Sequence, residues 1–303
     1  MKEKSILILG LGRMGSGIAK RLSLKGFKTY VYDRHYEKAV EISRKYKNII
    51  PLKELQDFKI KAKGKKIIWI MLPHGDVTQT YIEKSRYILS KGDIIIDGGN
   101  SKWEDSKKNY RNLKKSGINF LDAGVSGGIW GERNGYCIMV GGDKEVFEYC
   151  EDYFKALSTN KGYLYCGDCG SGHFVKMVHN GIEYAMMQAY AEGFELIGSF
   201  DGVKAKKSEI AGMWNRGSVI RSWLLELGYL ALKENEELSD IKGYVEDSGE
   251  GRWTVEYAIS KSIPCETITA SLFRRFRSRK ENPFSERFLA ALREKFGGHK
   301  VIR

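Results

Sequence analysis

The chain has 303 residues, of which 42% are hydrophobic and 12% aromatic, and this is ample for one large core or two ordinary ones. No apolar run, 67–72 included, approaches the roughly 20 residues that span a bilayer, and five cysteines at irregular spacing do not make a disulfide framework. The formal charge of +13 is spread over 102–115 and 272–303 without a helix-turn-helix or zinc-finger pattern, so it fits an anionic small molecule or a basic surface better than a nucleic acid.

Residues 1–4 are followed by a short apolar run at 5–9 that breaks at Gly10 with no small-residue cleavage site, so it reads as a first strand rather than a secretion signal. A cytoplasmic protein with no membrane or nucleic-acid partner is expected. From there to about residue 166, short β-branched runs alternate with amphipathic stretches, the pattern of a parallel sheet covered by helices. The strands are predicted at 5–9, 28–32, 66–71, 93–97, 119–122, 136–140 and 163–166, with helices such as 14–25 and 144–157 between them. Cys166-Gly-Asp-Cys169 is a lone C-x-x-C without a second ligand pair, so no metal is expected. Beyond Ser171 the strand pattern stops. A proline-free stretch from Gly172 to about Ser199 has apolar positions on most faces and predicts a buried linking helix. Further helices are predicted at 206–214, 218–233, 253–262, 267–277 and 285–296. The expected fold is an α/β Rossmann-type N-terminal domain over 1–170 plus an all-α C-terminal domain over 171–303.

The first predicted strand runs directly into Gly10-Leu11-Gly12-Arg13-Met14-Gly15, which opens a helix. Glycines at this spacing permit a tight turn, close approach of backbone to a pyrophosphate, and close helix–strand packing, while the helix N-terminus receives phosphate charge. Asp33 ends the second strand about twenty residues on, where a carboxylate accepts from a ribose 2′-hydroxyl and repels a 2′-phosphate. NAD is therefore the expected cofactor. Arg13, Arg34 and His35 are near enough in sequence to leave NADP possible. Met71-Leu72-Pro-His74 and Asp97-Gly-Gly-Asn100 follow later strands at the carboxyl edge of the sheet, where ligands of such folds bind.

Lys176, His179, Asn180 and Glu183 stand at i, i+3, i+4 and i+7, on one helix face, while Met177, Val178, Ile182 and Ala185 fall elsewhere and can pack inward. A lysine and a glutamate facing a cleft form an acid/base pair, since desolvation in general lowers the pKa of the first and raises that of the second. The spacing alone names no substrate.

Here the chain resembles the 6-phosphogluconate dehydrogenase family, in its short, NAD-preferring, decarboxylating form. The resemblance rests on 10–15, Asp97-Gly-Gly-Asn-Ser101, Val125-Ser-Gly-Gly128, Lys176-Met-Val-His-Asn-Gly-Ile-Glu-Tyr184, Gly249-Glu-Gly-Arg-Trp-Thr254, Ser271-Leu-Phe-Arg-Arg275 and Arg293-Glu-Lys-Phe-Gly-Gly-His299. It implies conversion of 6-phosphogluconate to ribulose 5-phosphate and carbon dioxide, without a metal. By resemblance, Lys176 is the base and Glu183 the acid, and Asn100, Ser126, Gly127, Gly128, His179 and Asn180 hold the sugar acid. Tyr184, Arg252, Thr254 and Arg275 hold its phosphate, and Asn100 with Met71 and Leu72 also meets the cofactor. Arg293 and His299 match tail residues that a neighbouring subunit inserts, which implies a homodimer or homotetramer. Two departures stand out: Arg252 replaces a lysine, and the second copy of the helical array found in the long form is absent. The rivals are another β-hydroxyacid dehydrogenase, such as one acting on 3-hydroxyisobutyrate, and a nucleotide-sensing regulator that has lost turnover.

Overall fold

The computed structural model describes residues 4–297 and 300–302. Its first part is one eight-stranded sheet, with strands β1 (Lys4–Leu9), β2 (Thr29–Tyr32), β3 (Ile49–Pro51), β4 (Lys65–Ile70), β5 (Ile94–Asp97), β6 (Asn119–Ser126), β7 (Tyr136–Gly142) and β8 (Ser158–Gly167). Their order across the sheet is β3-β2-β1-β4-β5-β6-β7-β8. Helices α1 (Arg13–Leu24), α2 (Tyr36–Lys45), α3 (Asp57–Lys61), α4 (Asp76–Ile88), α5 (Trp103–Lys114), α6 (Gly131–Asn134) and α7 (Lys144–Leu157) connect them. The continuous apolar runs of β1, β4 and β5 reflect burial on both faces. Ile6, Ile8, Ile67, Trp69, Ile94 and Ile96 enter one core, and Leu7, Leu9, Ile68, Ile70 and Ile95 enter the other. Each such side chain contributes about 1.5–3 kcal/mol when fully buried.

All seven predicted strands are present, and β3 adds an eighth at the edge beside β2. The sheet is not wholly parallel, because β7 runs antiparallel to β6 and β8 then runs parallel to β7. A connection as short as 127–135 cannot hold the crossover that a parallel neighbour needs.

The chain divides into two compact units, Met1–His179 and Asn180–Arg303, and the division falls within α8 (Ser171–Gly198). The second unit continues with α9 (Lys207–Gly217), α10 (Trp223–Glu234), α11 (Glu250–Ser260), α12 (Glu266–Ser278) and α13 (Phe284–Gly297). No strand follows β8 among the described residues. The predicted start of α10 at 218 is five residues early, since Ser222 is extended and its hydroxyl caps the helix by accepting from Leu225 N–H at 3.0 Å. Two small cores hold this unit, one of Tyr184, Val255 and Leu272, the other of Ala211, Leu225 and Leu232.

The linking helix differs from the expectation at Ile182. Lys176, Asn180 and Tyr184 are buried, whereas Ile182, expected to pack inward, is 50% exposed. Met177 is buried as expected, at 2% exposure, and His179 and Glu183 are half-buried, so α8 buries polar and apolar positions together.

Candidate active site

The three glycines after β1 meet three different demands. Gly10 has φ +97°, and a Cβ there would fall 2.6 Å from the Met71 carbonyl oxygen and 2.8 Å from Leu72 Cδ2. Gly15 packs α1 so closely on the strand end that a Cβ would sit 1.9 Å from the Gly10 carbonyl oxygen. A Cβ at Gly12 would meet nothing within 4 Å, so of the three it is the glycine whose backbone a ligand can approach. This cradle at a helix N-terminus fits the pyrophosphate of a dinucleotide. Leu11 is buried and its N–H donates to Asp33 Oδ2 at 2.8 Å, while Asp33 Oδ1 accepts from His35 N–H at 2.9 Å. Asp33 thus ties the loop to the end of β2. Beside it the exposed Arg34 donates from Nε to His35 Nε2 at 3.1 Å, and Lys38 Nζ lies 4.0 Å from Asp33 Oδ1. Arg13 is exposed and Met14 half-buried at the loop's outer side. Met71 and Leu72 pack against the Gly98-Gly99 turn, where a Cβ at Gly99 would strike the Leu72 carbonyl at 2.7 Å. Asn100 follows, exposed at the same edge, as does His74.

Ser126 ends β6, and the turn after it needs Gly127 at φ +138° and Gly128 at φ +53°. This turn is braced by Tyr136, whose ring fills the space that a Cβ at Gly131 or Gly127 would need and whose hydroxyl abuts Gly17 of α1. Burial pushes the Tyr136 hydroxyl up to about 12. The helix of the glycine loop and the Ser126-Gly127-Gly128 turn therefore share one buried aromatic wedge. Lys176, 8% exposed, lies against β6, with its Cβ 2.3 Å from where a Cβ at Gly124 would be. His179 is half-buried at the end of this unit.

In the second unit Asn180 Nδ2 donates to Glu250 Oε1 at 2.7 Å, and Ser248 Oγ donates to Glu250 Oε2 at 2.6 Å. Ser248 N–H donates to the Tyr184 hydroxyl at 3.2 Å, and Thr254 Oγ1 donates to the Glu250 carbonyl at 2.8 Å. The Arg275 guanidinium stacks 3.5 Å above the Tyr184 ring and donates to the Glu246 carbonyl at 2.7 Å. Arg252 lies 4.3 Å from the Phe276 ring and forks onto Asp247 through Nε at 2.6 Å and Nη2 at 3.1 Å. Arg279 joins the same carboxylate at 2.8 Å. The Arg252 guanidinium, and after it Arg279, holds the Asp247 carboxyl below the usual carboxylate range, and Asp247 in turn raises Arg252. Asn180, Tyr184, Arg252, Thr254 and Arg275 thus converge, with Glu183 half-buried on α8. Arg293 stands exposed on α13 and joins neither cluster, and His299 lies outside the described residues. The sequence reading missed Glu250, Ser248, Asp247 and Lys38, and took Arg279 only as part of a run of basic residues. Glu250 carried a signal, being an acid between two glycines in a motif otherwise assigned to phosphate.

Among the described residues no three His, Cys, Asp or Glu side chains cluster to hold a metal, and no helix is long and apolar enough to cross a membrane. Cys169 is buried and donates to the Ser106 carbonyl at 3.4 Å, and burial pushes its thiol far up.

Comparison with known proteins identifies both units. Residues 5–168 match the NAD binding domain of 6-phosphogluconate dehydrogenase, and 172–301 match the C-terminal domain of that enzyme. Bacillus subtilis YqeC is 43% identical over 294 residues, covering 96% of this chain and 97% of the relative. The NAD(+)-dependent, decarboxylating 6-phosphogluconate dehydrogenase of Haloferax volcanii is 38% identical over 300 residues, covering 98% of each. The solved 6-phosphogluconate dehydrogenase of Plasmodium falciparum superposes with a TM-score of 0.85 at 29% identity, and this chain covers 66% of its length. The 3-hydroxyisobutyrate dehydrogenase of Mycobacterium tuberculosis, at 17% identity and a TM-score of 0.71, shares the fold.

Proposed function

We propose, from the premise that this chain belongs to the 6-phosphogluconate dehydrogenase family, that it oxidises and decarboxylates 6-phosphogluconate to ribulose 5-phosphate with NAD, NADP being the weaker partner. The observation that carries this reading is the cation cluster around Tyr184, because Arg275 and Arg252 meet aromatic faces with donor groups suited to a phosphate monoester. Tyr184 stands two turns beyond Lys176 on α8.

Gly10, Leu11, Gly12, Arg13, Met14 and Gly15 hold the pyrophosphate, with Asp33 and Arg34 at the adenosine ribose and Met71, Leu72 and Asn100 toward the nicotinamide. When bound, the cofactor supplies an acceptor for the hydride from C3. Lys176 takes the C3 hydroxyl proton as a neutral amine. Once protonated it donates to the C3 carbonyl oxygen, drawing electrons from the C1–C2 bond as that bond breaks and carbon dioxide leaves. Glu183 gives a proton to the carbon that becomes C1 of ribulose 5-phosphate. Asn100, Ser126, Gly127, Gly128, His179 and Asn180 orient the sugar acid. Tyr184, Arg252, Thr254 and Arg275 hold the phosphate, and Arg293 and His299 of a second copy complete the site in a homodimer or homotetramer.

The test is to mix the protein with 6-phosphogluconate and NAD or NADP and follow reduced cofactor and carbon dioxide together. Equal amounts of both products are expected. No turnover with either cofactor would refute the reading, and reduction without carbon dioxide would assign a simple β-hydroxyacid oxidation. Lys176→Met is expected to abolish oxidation, and Glu183→Gln to slow the final protonation with binding retained.

A further inference from the structure

We infer that Asp122 is a positioning residue for Lys176, acting through the first turn of α8. The inference rests on the reading of Lys176 as the base. Asp122 is fully buried, and its two oxygens accept from the N–H groups of Gly170 at 2.6 Å and His173 at 2.8 Å. Because α8 begins at Ser171, these are the donor of the residue before the helix and that of its third residue. In a capping box they are answered by two separate side chains. Here Gly170, at φ +97°, has no side chain to offer, and one carboxylate from β6, 48 residues earlier, answers both.

Further contacts prevent the turn from sliding. His173, 2% exposed, shares a 2.7 Å hydrogen bond through Nδ1 with Ser106 Oγ of α5. A Cβ at Gly141 would lie 2.6 Å from Asp122 Oδ1, and one at Gly172 would lie 2.6 Å from the Asp122 carbonyl oxygen. Lys176 follows one turn after His173 and touches Gly124, two residues after Asp122. The same strand ends in Ser126, so Asp122 sets the height of the amine relative to the Ser126-Gly127-Gly128 turn. Asp122 itself needs no contact with substrate to do this.

Asp122→Asn and Asp122→Ala in the full chain test it. The Asn variant keeps one acceptor and is expected to lose roughly tenfold in kcat per folded molecule, and the Ala variant roughly a hundredfold, as for a misplacement of about 1 Å. KM for NAD should not change. Independently of turnover, the rate at which pyridoxal 5′-phosphate and borohydride label Lys176, read by peptide mass, should change in both variants while labelling of the exposed Lys84 stays constant. Wild-type kcat and Lys176 labelling in folded Asp122→Asn would overturn the inference, as would losses matching only a smaller folded fraction. If Asp122→Ala does not fold, the Asn variant decides alone. Failure of the wild type to turn over 6-phosphogluconate would instead sink the proposed function, and the labelling would still judge Asp122.

Discussion

Asp247→Asn removes a charge shared by two arginines, and its cost follows from how each is held. The Asp247 side chain is 3% exposed, against 48% for Arg252 and 22% for Arg279. A hydrogen bond to a charged partner contributes about 1.5–3 kcal/mol. Solvent screening reduces the Arg252 share to about 1 kcal/mol or less, and the better-shielded Arg279 retains more. A net loss of about 2 kcal/mol is expected, a fall in Tm of roughly 5–10 °C for a unit of this size. The pH dependence fixes the cause. The arginines hold the Asp247 carboxyl below its ordinary range, so the unfolded chain takes up this proton more readily than the folded one. The stabilisation is complete above the unfolded value near 3.9 and fades as pH falls through the folded one. Thermal unfolding of wild type and variant at neutral pH and at about pH 3 should show a wide Tm gap that narrows in acid. A gap of equal size at both would refute the electrostatic account. The variant should also raise KM for 6-phosphogluconate, because Arg252 loses its anchor.

Arg275→Ala removes the stack on Tyr184 and should raise KM for 6-phosphogluconate about tenfold or more with KM for NAD unchanged; equal effects on both would reassign the residue. Asp33→Ala should lower kcat/KM with both cofactors, since Leu11 N–H loses its acceptor as well as the ribose its partner. Asp33→Asn should shift preference toward NADP at smaller cost, and undiminished use of NAD by the Ala variant would contradict this role. Gly124→Ala places a methyl 2.3 Å from Lys176 Cβ and should destabilise by about 1–3 kcal/mol; denaturant unfolding at wild-type stability would show that α8 can yield.

The strands were legible because short, continuous β-branched and apolar runs recur between amphipathic stretches, and the structure then divides each run between the two cores, Ile6 and Ile8 from Leu7 and Leu9. β3 escaped because three residues establish no period. The reversal of β7 was not legible, because the strand predicted at 119–122 left 123–135, long enough for a crossover, whereas β6 runs on to Ser126 and leaves only 127–135. Gly10, Gly12 and Gly15 were legible as a set, and the structure separates their roles by what a side chain would strike. Glu250 and Asp247 were not legible as partners, because Asn180 lies 70 residues from the first and Arg279 lies 32 from the second. No local pattern records a pairing over such distances. Ile182 misled because an apolar residue at helical spacing normally marks a buried position, and on α8 Met177 is buried while Ile182 is exposed.

Strand β6 and helix α8 advance at different rates, about 3.3 Å per residue for the strand and 1.5 Å for the helix. Asp122, Gly124 and Ser126 stand on one face of the strand as fixed graduations against the helix. Deleting one residue within 122–126 would turn the rest of that face to the other side of the sheet and part Lys176 from the turn. The segment 127–135 lies beyond the last graduation and is held in its own right, by the Gly127-Gly128 turn, by the Tyr136 ring against Gly131 and by the Lys20–Glu132 ion pair to α1.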